Sequence, residues 1–331
     1  MRVISSTTEA LTPTCIALGN FDGVHRGHQR VIAPAVTQAR ALSQGIVAGD
    51  RPRSSPKIYA TVVTFDPHPR EFFSGNPQHL LTPLPEKQAF LAQFGIEQLV
   101  LLPFDRELAA LSPQEFVAEI LVKQLQTQSI SVGSDFSFGR GRSGSATDLQ
   151  AIAKSFGIDV HITPLCREAE TRISSSAIRE ALATGQIQYA NQLLGRPYSL
   201  QGTVTHGQKL GRQIGFPTAN LQGEATKFLP KYGVYAVQVT SDVLPTAQWG
   251  ILNIGCRPTV TTTALPTVEV HLLDYHQDLY GANLKVDLLH YLRPEQKFAS
   301  LQALQNQIHQ DGDRARTLLT TTSNQHERTH S

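Results

Sequence analysis

The chain has 331 residues, 40% hydrophobic and 17% charged, which is length for about two domains and apolar content for a proper core in each. Its net charge of +2, with basic residues scattered rather than blocked, gives no footing for a nucleic-acid or membrane-surface partner. No apolar run approaches the ~20 residues of a membrane span, the first residues lack a signal-peptide apolar region, and Cys15, Cys166 and Cys256 are too widely spaced for a disulfide framework or a C-x-x-C metal site. The expectation is a cytoplasmic protein with three reduced, mostly buried thiols.

In chain order, "TCIALGNFDG" reads as a strand running into a turn, and residues 25–44 as a helix interrupted or bent near Pro34. The stretch 45–57, rich in Gly, Pro, Ser and Arg, reads as a surface insertion. "IYATVVTFDP" is a second strand, apolar throughout as a parallel sheet buried on both faces requires. A helix over 85–95 and the strand "EQLVLLPF" follow. "SPQEFVAEILVKQL" opens with a serine cap and a proline at the first helical position. "SISVGSDFSFG" is strand four with its loop, "TDLQAIAKSFG" a helix with a glycine stop, and "IDVHITPL" strand five. "ISSSAIREALATG" is a capped helix ending at Gly185. Strands alternating with helices predict β-α-β crossovers and a doubly wound α/β domain.

After about residue 196 the pattern changes. "YSLQGTVTHG", "YGVYAVQVTS", "WGILNIG", "TVEVHLLDY" and "LKVDLLHYL" are strand-like runs joined by turns, and "KFASLQALQNQIHQD" is helical. This predicts a small antiparallel barrel with a C-terminal helix. The expected division is 1–185 for the first domain, 186–318 for the second, and a polar, disordered tail over 319–331.

The first chemical constellation is "GNFDGVHRGH", residues 19–28. A strand ends, glycines turn the chain and a helix begins, and a helix N-terminus offers unpaired N–H groups and positive dipole charge to a phosphate. His25 and His28, three apart, share one face of the first turn, and Gly27 lets a ligand approach the backbone. Zinc would need a third protein ligand, and no further His or Cys lies nearby in sequence. Incidental histidines in a structural turn are a second alternative. Phosphate chemistry fits best, since an imidazole pair can donate hydrogen bonds to charge building on an α-phosphate.

The H-x-G-H at 25–28 resembles the nucleotidylyltransferase superfamily. The longer "LGNFDGVHRGH" is similar to one branch of it, the FAD synthetase module of the bacterial bifunctional riboflavin kinase/FAD synthetases. "TFDPHPREFF", "VGSDFSFGRGRSG" and "ISSSAIREAL" follow in that family's order, and the resemblance runs over roughly residues 14–312. It implies a Rossmann-like nucleotidylyltransferase domain followed by a riboflavin kinase barrel. It implies that His25 and His28 act on the α-phosphate of ATP, with Asn20 and Gly27 lining the nucleotide site. Ser174, Ser175 and Ser176 precede a helix, where hydroxyls and backbone N–H groups converge. Arg179 follows one turn later, with a planar fork suited to the β- and γ-phosphates. The family usually shows Ser-Ser-Thr here; this chain keeps the hydroxyl at Ser176. Asp66, His68 and Arg70 stand at a strand C-terminus, where open α/β sheets bind ligands; the resemblance places this loop near flavin or pyrophosphate, although His68 could be a plain loop residue. Asp135, Phe136 and Phe138 suggest a polar and aromatic pocket for adenine or isoalloxazine, with Phe138 alternatively in the core.

The second constellation, "GQKLGRQIGFPTANL" over 207–221, is glycine-spaced but lacks the G-K-[ST] of a Walker motif. Thr218 and Asn220 alternate, so both face one side of a strand, and hard oxygen donors so placed suit Mg²⁺ on ATP phosphates. A glycine-rich hairpin with polar edges is the plainer alternative. "GFPTAN" resembles the riboflavin kinase signature, which implies metal and phosphate contacts from Thr218 and Asn220, further nucleotide contacts from Gly211 and Arg212, and a general base at Glu269. "NIGCRPT", "DLYG" and "LRPEQKF" match the same pattern, with Arg293 expected at the flavin. The implied activity is phosphorylation of riboflavin by MgATP to FMN, then adenylylation of FMN to FAD with release of pyrophosphate. Riboflavin, FMN and ATP are the small-molecule partners, the chain being a monomer or weak homo-oligomer. The alternatives are a kinase with a degenerate adenylyltransferase module, or a non-catalytic flavin or nucleotide sensor. The complete H-x-G-H and Arg179 speak against the first, and Glu269 beside Thr218 and Asn220 against the second.

Overall fold

The computed structural model describes residues 1–44, 56–168, 171–206, 215–256, 266–275 and 277–328. Most of the expected insertion, residues 45–55, therefore lies outside the described residues, as do Gly211 and Arg212. Contacts divide the chain into Met1–Ser175 and Ser176–Ser331.

In the first unit, β1 (Arg2–Ile4), β2 (Thr14–Leu18), β3 (Tyr59–Asp66), β4 (Gln98–Pro103), β5 (Thr127–Gly133) and β8 (Asp159–Thr163) form one sheet. Its order is β1-β4-β3-β2-β5-β8 and every pairing is parallel. Two-residue strands β6 (Ser137–Phe138) and β7 (Gly144–Ser145) pair with one another, as do β9 (Arg167–Glu168) and β10 (Thr171–Arg172). From β2 the chain winds one way through β3 and β4 and the other way through β5 and β8. The C-terminal ends of β2 and β5 are therefore the topological switch point, where open sheets of this kind bind ligands.

The sheet is covered on both faces, as its apolar strands require. On one face, Val31, Ile32, Ala35, Val36 and Ala39 of α1 (Arg26–Ser43) pack on Cys15, Ala17, Val62 and Leu99. On the other, Phe116, Val117, Leu121 and Leu149 pack on Ile16, Leu18, Val63 and Ile130. The helix α1 is not interrupted at Pro34. Pro34 removes one N–H from the helix, but the buried flanks Val31, Ile32, Ala35 and Val36 keep the chain helical through it. The serine cap at Ser112 is a reciprocal capping box with Glu115, as the Ser-Pro-x-Glu spacing requires.

The second unit holds α7 (Ser175–Thr184, its first residue in the sheet unit), α8 (Ile187–Leu194), strands β11 (Tyr198–Thr205), β12 (Ala219–Gly223), β13 (Gly233–Thr240), β14 (Gln248–Cys256), β15 (Pro266–Leu272) and β16 (Asn283–Arg293), and a last helix α9 (Leu301–Arg328). The strands close a barrel in the order β11-β12-β15-β14-β13-β16. Its interior is filled by Val204, Leu221, Leu252, Ile254 and Val270, all buried, so the alternating positions of those strands face outward.

The unit boundary at 175/176 precedes the expected 185. The helix α7 goes with the barrel because the Leu182 carbonyl accepts from Lys231 N–H at 2.9 Å. The stretch over 319–331 expected as a disordered tail is helical to Arg328. Ala315 and Leu319 are fully buried against Val234, Ala236 and Ile251, and this anchor carries the helix past the polar residues that composition alone marked as tail. Cys15 and Cys166 are buried, whereas Cys256 is exposed at the end of β14. Among the described residues no helix is long and apolar enough to cross a membrane.

Candidate functional sites

The turn at the end of β2 is tightly constrained. Phe21 and Val24 have φ of +49° and +41°, a region that costs a β-branched residue dearly. Both side chains are essentially inaccessible, so packing holds the strain in place, an arrangement that recurs at functional sites. Hydrogen bonds from distant segments of the chain lock the turn further. Thr82 N–H donates to Asp22 Oδ1 at 3.1 Å, and Gly23 N–H donates to Thr82 Oγ1 at 2.9 Å. Ser175 Oγ donates to the Asp22 carbonyl at 2.7 Å. This last bond brings the "ISSS" segment to the "GNFDG" turn. Ser176 and Arg179 fall in the second unit, where the Arg179 guanidinium lies 6.0 Å from the centre of the Phe228 ring.

His25 is the N-cap of α1, and its Nδ1 accepts from His28 N–H at 3.2 Å. A neutral imidazole that accepts at Nδ1 carries its proton on Nε2, so His25 presents an Nε2–H donor beside the helix N-terminus. The two histidine rings stack with centroids 3.6 Å apart and planes 14° apart, and Phe21 meets His28 edge-on at 5.3 Å. A Cβ at Gly27 would stand 3.1 Å from the His25 ring. Gly27 thus keeps room for that imidazole, a role additional to the ligand approach expected from the sequence.

Asp66 ends β3, and His68 caps the short α2 (Pro69–Ser74) by accepting from Arg70 N–H at 3.0 Å. Behind them lies an aromatic group the sequence reading passed over: Phe104 stands 5.3–5.8 Å from Phe65, Phe72 and Phe73, all edge-to-face, with Phe73 72% exposed. Asp135 is ion-paired with Arg172 of β10. Phe138 is 5% exposed, within the core between Phe116 and Phe136. That corrects its expected place in a ligand pocket: the backbone of β6 turns it inward, and Phe136 stays partly accessible.

A fourth stretch, "TPLPEK", supports the same turn through Thr82 and through Lys87 of α3 (Leu84–Gln93). Lys87 is 9% exposed and its Nζ donates to the Asn20 carbonyl at 3.1 Å. Burial pushes its ammonium below the ordinary lysine value, against the pull of the Asp22 and Asp66 carboxylates, which raise it.

In the barrel, register decides the second site. Asn220 stands directly across from Thr205 on one side and Glu269 on the other, and Glu269 directly across from Asn253. Register partners share a face, so Thr205, Asn220, Glu269 and Asn253 form a polar row across four strands. The buried alternates Val204, Leu221, Val270 and Leu252 fix that face as the outer one. Thr218 precedes β12 by one residue, on the same side as Asn220. His271, two residues after Glu269, has Nδ1 2.8 Å from the Pro217 carbonyl and meets Phe216 edge-on, which pins the "GFPT" segment beside the row. The spacing of Glu269 and His271 was legible in the sequence; their pairing with Asn220 and Pro217 was not. Thr218 also borders an open, shallow recess with Val204, Ala219, Val270, Leu272 and Tyr280.

Thr218 and Asn220 offer neutral oxygen donors. That set fits Mg²⁺, which keeps several waters and is held largely by substrate phosphates rather than by a protein cage. Among the described residues no group of three or more His, Cys, Asp or Glu side chains could hold a metal by itself.

Arg293, expected at the flavin, has its donors engaged elsewhere. Its Nε and Nη2 donate to Asp311 of α9 at 2.8–3.1 Å, and its Nη1 donates to the Pro294 carbonyl at 3.0 Å. With the two side chains 16% and 5% exposed, this is a buried fork-to-carboxylate pair that fastens α9 to the barrel. Asp311→Ala is expected to destabilise the barrel unit by about 3–5 kcal/mol, because it leaves the guanidinium buried without its counter-charge. The midpoint of denaturant unfolding, followed by far-UV circular dichroism, checks this; an unchanged midpoint would refute it.

A family model described as FAD synthetase matches residues 7–177, and one described as riboflavin kinase matches 194–319. The bifunctional riboflavin kinase/FMN adenylyltransferase of Escherichia coli (strain K12) is 42% identical over 316 residues, covering 94% of this chain and 95% of that protein. The protein of the same name from Bacillus subtilis (strain 168) is 35% identical over 311 residues, covering 93% of each. A crystal structure described as a macrolide-efflux protein from Streptococcus pneumoniae superposes with a TM-score of 0.80 at 30% identity, covering 95% of this chain and 98% of that one.

Proposed function

Because the chain belongs to the bifunctional riboflavin kinase/FMN adenylyltransferase family, we propose that its barrel unit converts riboflavin and ATP to FMN and ADP at the Thr218–Asn220–Glu269 face, and that its sheet unit then converts FMN and ATP to FAD and pyrophosphate at the His25–His28 pair. The observation that carries the reading is the register of β12 and β15, which sets Glu269 across from Asn220 in one unit, while a stacked imidazole pair caps α1 in the other.

The two sites suit two different nucleophiles. In the first reaction the riboflavin 5′-hydroxyl attacks the γ-phosphorus of ATP, the bond to the β,γ-bridging oxygen breaks and ADP leaves. A hydroxyl must lose its proton, and Glu269 is the group to accept it. Thr218 and Asn220 would hold Mg²⁺, which when bound neutralises charge on the ATP phosphates. In the second reaction an FMN phosphate oxygen attacks the α-phosphorus and pyrophosphate leaves. That nucleophile is already ionised near neutral pH, so the site needs hydrogen-bond donors for charge growing on the α-phosphate. His25 Nε2–H and His28 serve there with the N-terminus of α1 and with Asn20 and Gly27. Ser174 and Ser175 are assigned to the departing phosphates. Asp66, His68, Asp135 and Phe136, with the aromatic group around Phe104, are assigned to the flavin side. The substrates are small molecules, and the reading calls for no nucleic acid or membrane.

Chromatography of products from riboflavin, ATP and Mg²⁺ tests the whole. FMN followed by FAD is expected; FMN alone would leave a single-activity kinase, and neither product would leave a sensor. Gly27→Ala is expected to push the His25 ring aside and to slow FAD formation by at least about tenfold, since small misplacements of catalytic groups are costly. Riboflavin phosphorylation by the same variant, measured in parallel, should be unchanged; equal loss of both would count against the assignment of Gly27.

A further inference from the structure

Lys87 is an unlikely cation in an unfavourable place. It lies in the first turns of α3, its N–H donating to the Pro83 carbonyl at 2.9 Å, where the helix dipole opposes positive charge. It is also 9% exposed, so desolvation opposes the charge again. The carboxylates of Asp22 and Asp66 counter the cost of burial only in part. Yet the hydrogen bond that Lys87 makes goes to neither of them. It goes to the Asn20 carbonyl, which also accepts from Thr64 Oγ1 at 3.2 Å.

Asn20 is the hinge of the site. Its backbone joins the end of β2 to the strained Phe21, while the side chain is exposed at the switch point. Two donors on one carbonyl fix the plane of the Asn20–Phe21 peptide, because a peptide rotates as a rigid unit. From there five residues lead to His25, the cap of α1. Lys87 thus secures Asn20 of "GNFD", and Thr82, five residues before it, secures Asp22 and Gly23 of the same turn.

We propose that Lys87 is a positioning residue for adenylyl transfer: its buried Nζ holds the Asn20 carbonyl and so sets the turn that delivers His25 and His28 to the α-phosphate. This rests on the assignment of FAD formation to the sheet unit. A purely structural lysine would stabilise the unit without affecting turnover of the folded enzyme.

The test uses the full chain. Wild-type enzyme is assayed for FAD formation from FMN and ATP, and for FMN formation from riboflavin; absence of FAD formation here would refute the underlying assignment, separately from the role of Lys87. Lys87→Met is then expected to lower kcat for FAD formation at least tenfold with KM for ATP changed less than threefold. FMN formation should be unaffected, and Lys87→Arg should recover part of the lost kcat. Should Lys87→Met not fold by circular dichroism, Thr64→Val, which removes the second donor to the Asn20 carbonyl at nearly equal volume, carries the test and is expected to lower kcat severalfold with the same unchanged KM. Wild-type kcat in a folded Lys87→Met, or in Thr64→Val where the first variant fails, would overturn the proposal. So would a loss confined to KM.

Discussion

His28→Ala is expected to lower FAD formation from FMN and ATP by about 10²–10³-fold while riboflavin phosphorylation continues at the wild-type rate. The magnitude is that of removing one preorganised donor from a site where negative charge develops. The specificity follows from position. His28 belongs to α1 of the sheet unit, stacked on His25 and edged by Phe21, whereas the barrel builds its polar row from its own strands. The ring of His28 also supports that of His25, so the alanine variant removes one donor and loosens a second. The measurement is separation of FMN and FAD after feeding each substrate to the same folded preparation. Loss of both products in a folded variant would defeat the two-site reading.

Glu269→Ala is expected to produce the opposite pattern: FMN formation reduced by about 10²–10⁴-fold, the range for loss of a positioned general base, and FAD formation from supplied FMN intact. The residue type explains the asymmetry between the sites. A hydroxyl nucleophile needs a base and a phosphate nucleophile does not, so a carboxylate stands in the barrel and imidazoles stand at α1. Glu269→Gln should be nearly as impaired as the alanine variant, because the amide keeps the size and hydrogen bonding but accepts no proton at neutral pH. Substantial FMN formation by Glu269→Gln would reassign Glu269 from base to positioning.

Much of this was legible along the chain because it is local. The strands β2, β3 and β4 are largely apolar runs, and the cap at Ser112 and the left-handed stop at Gly157 are set by a few neighbouring residues. The motifs at 19–28 and 215–220 name their chemistry by residue type. Other features were beyond such reading for physical reasons. β1 spans three residues, too few to show a period, and its place beside β4 is a long-range pairing. β12 is five residues with Asn and Gln in it, and becomes a strand by closing the barrel between β11 and β15. Phe138 reads equally as pocket or core, and the turn of β6 decides for core. Arg293 reads as a free cation near a ligand until α9 brings Asp311 against it.

The sequence by itself determined the alternation of elements, the change from crossovers to hairpins near residue 196, and the two sets of chemical groups with their family resemblance. Periodicity, capping and residue type act over a few positions and are written directly in the chain. Only the tertiary structure decided that β2 sits at the switch point, that Glu269 faces Asn220, that Lys87 lies beneath Asn20, and that Arg293 binds Asp311 instead of waiting for a ligand. Each of these depends on which distant segments pack together, and packing is settled by burial and register summed over a whole unit.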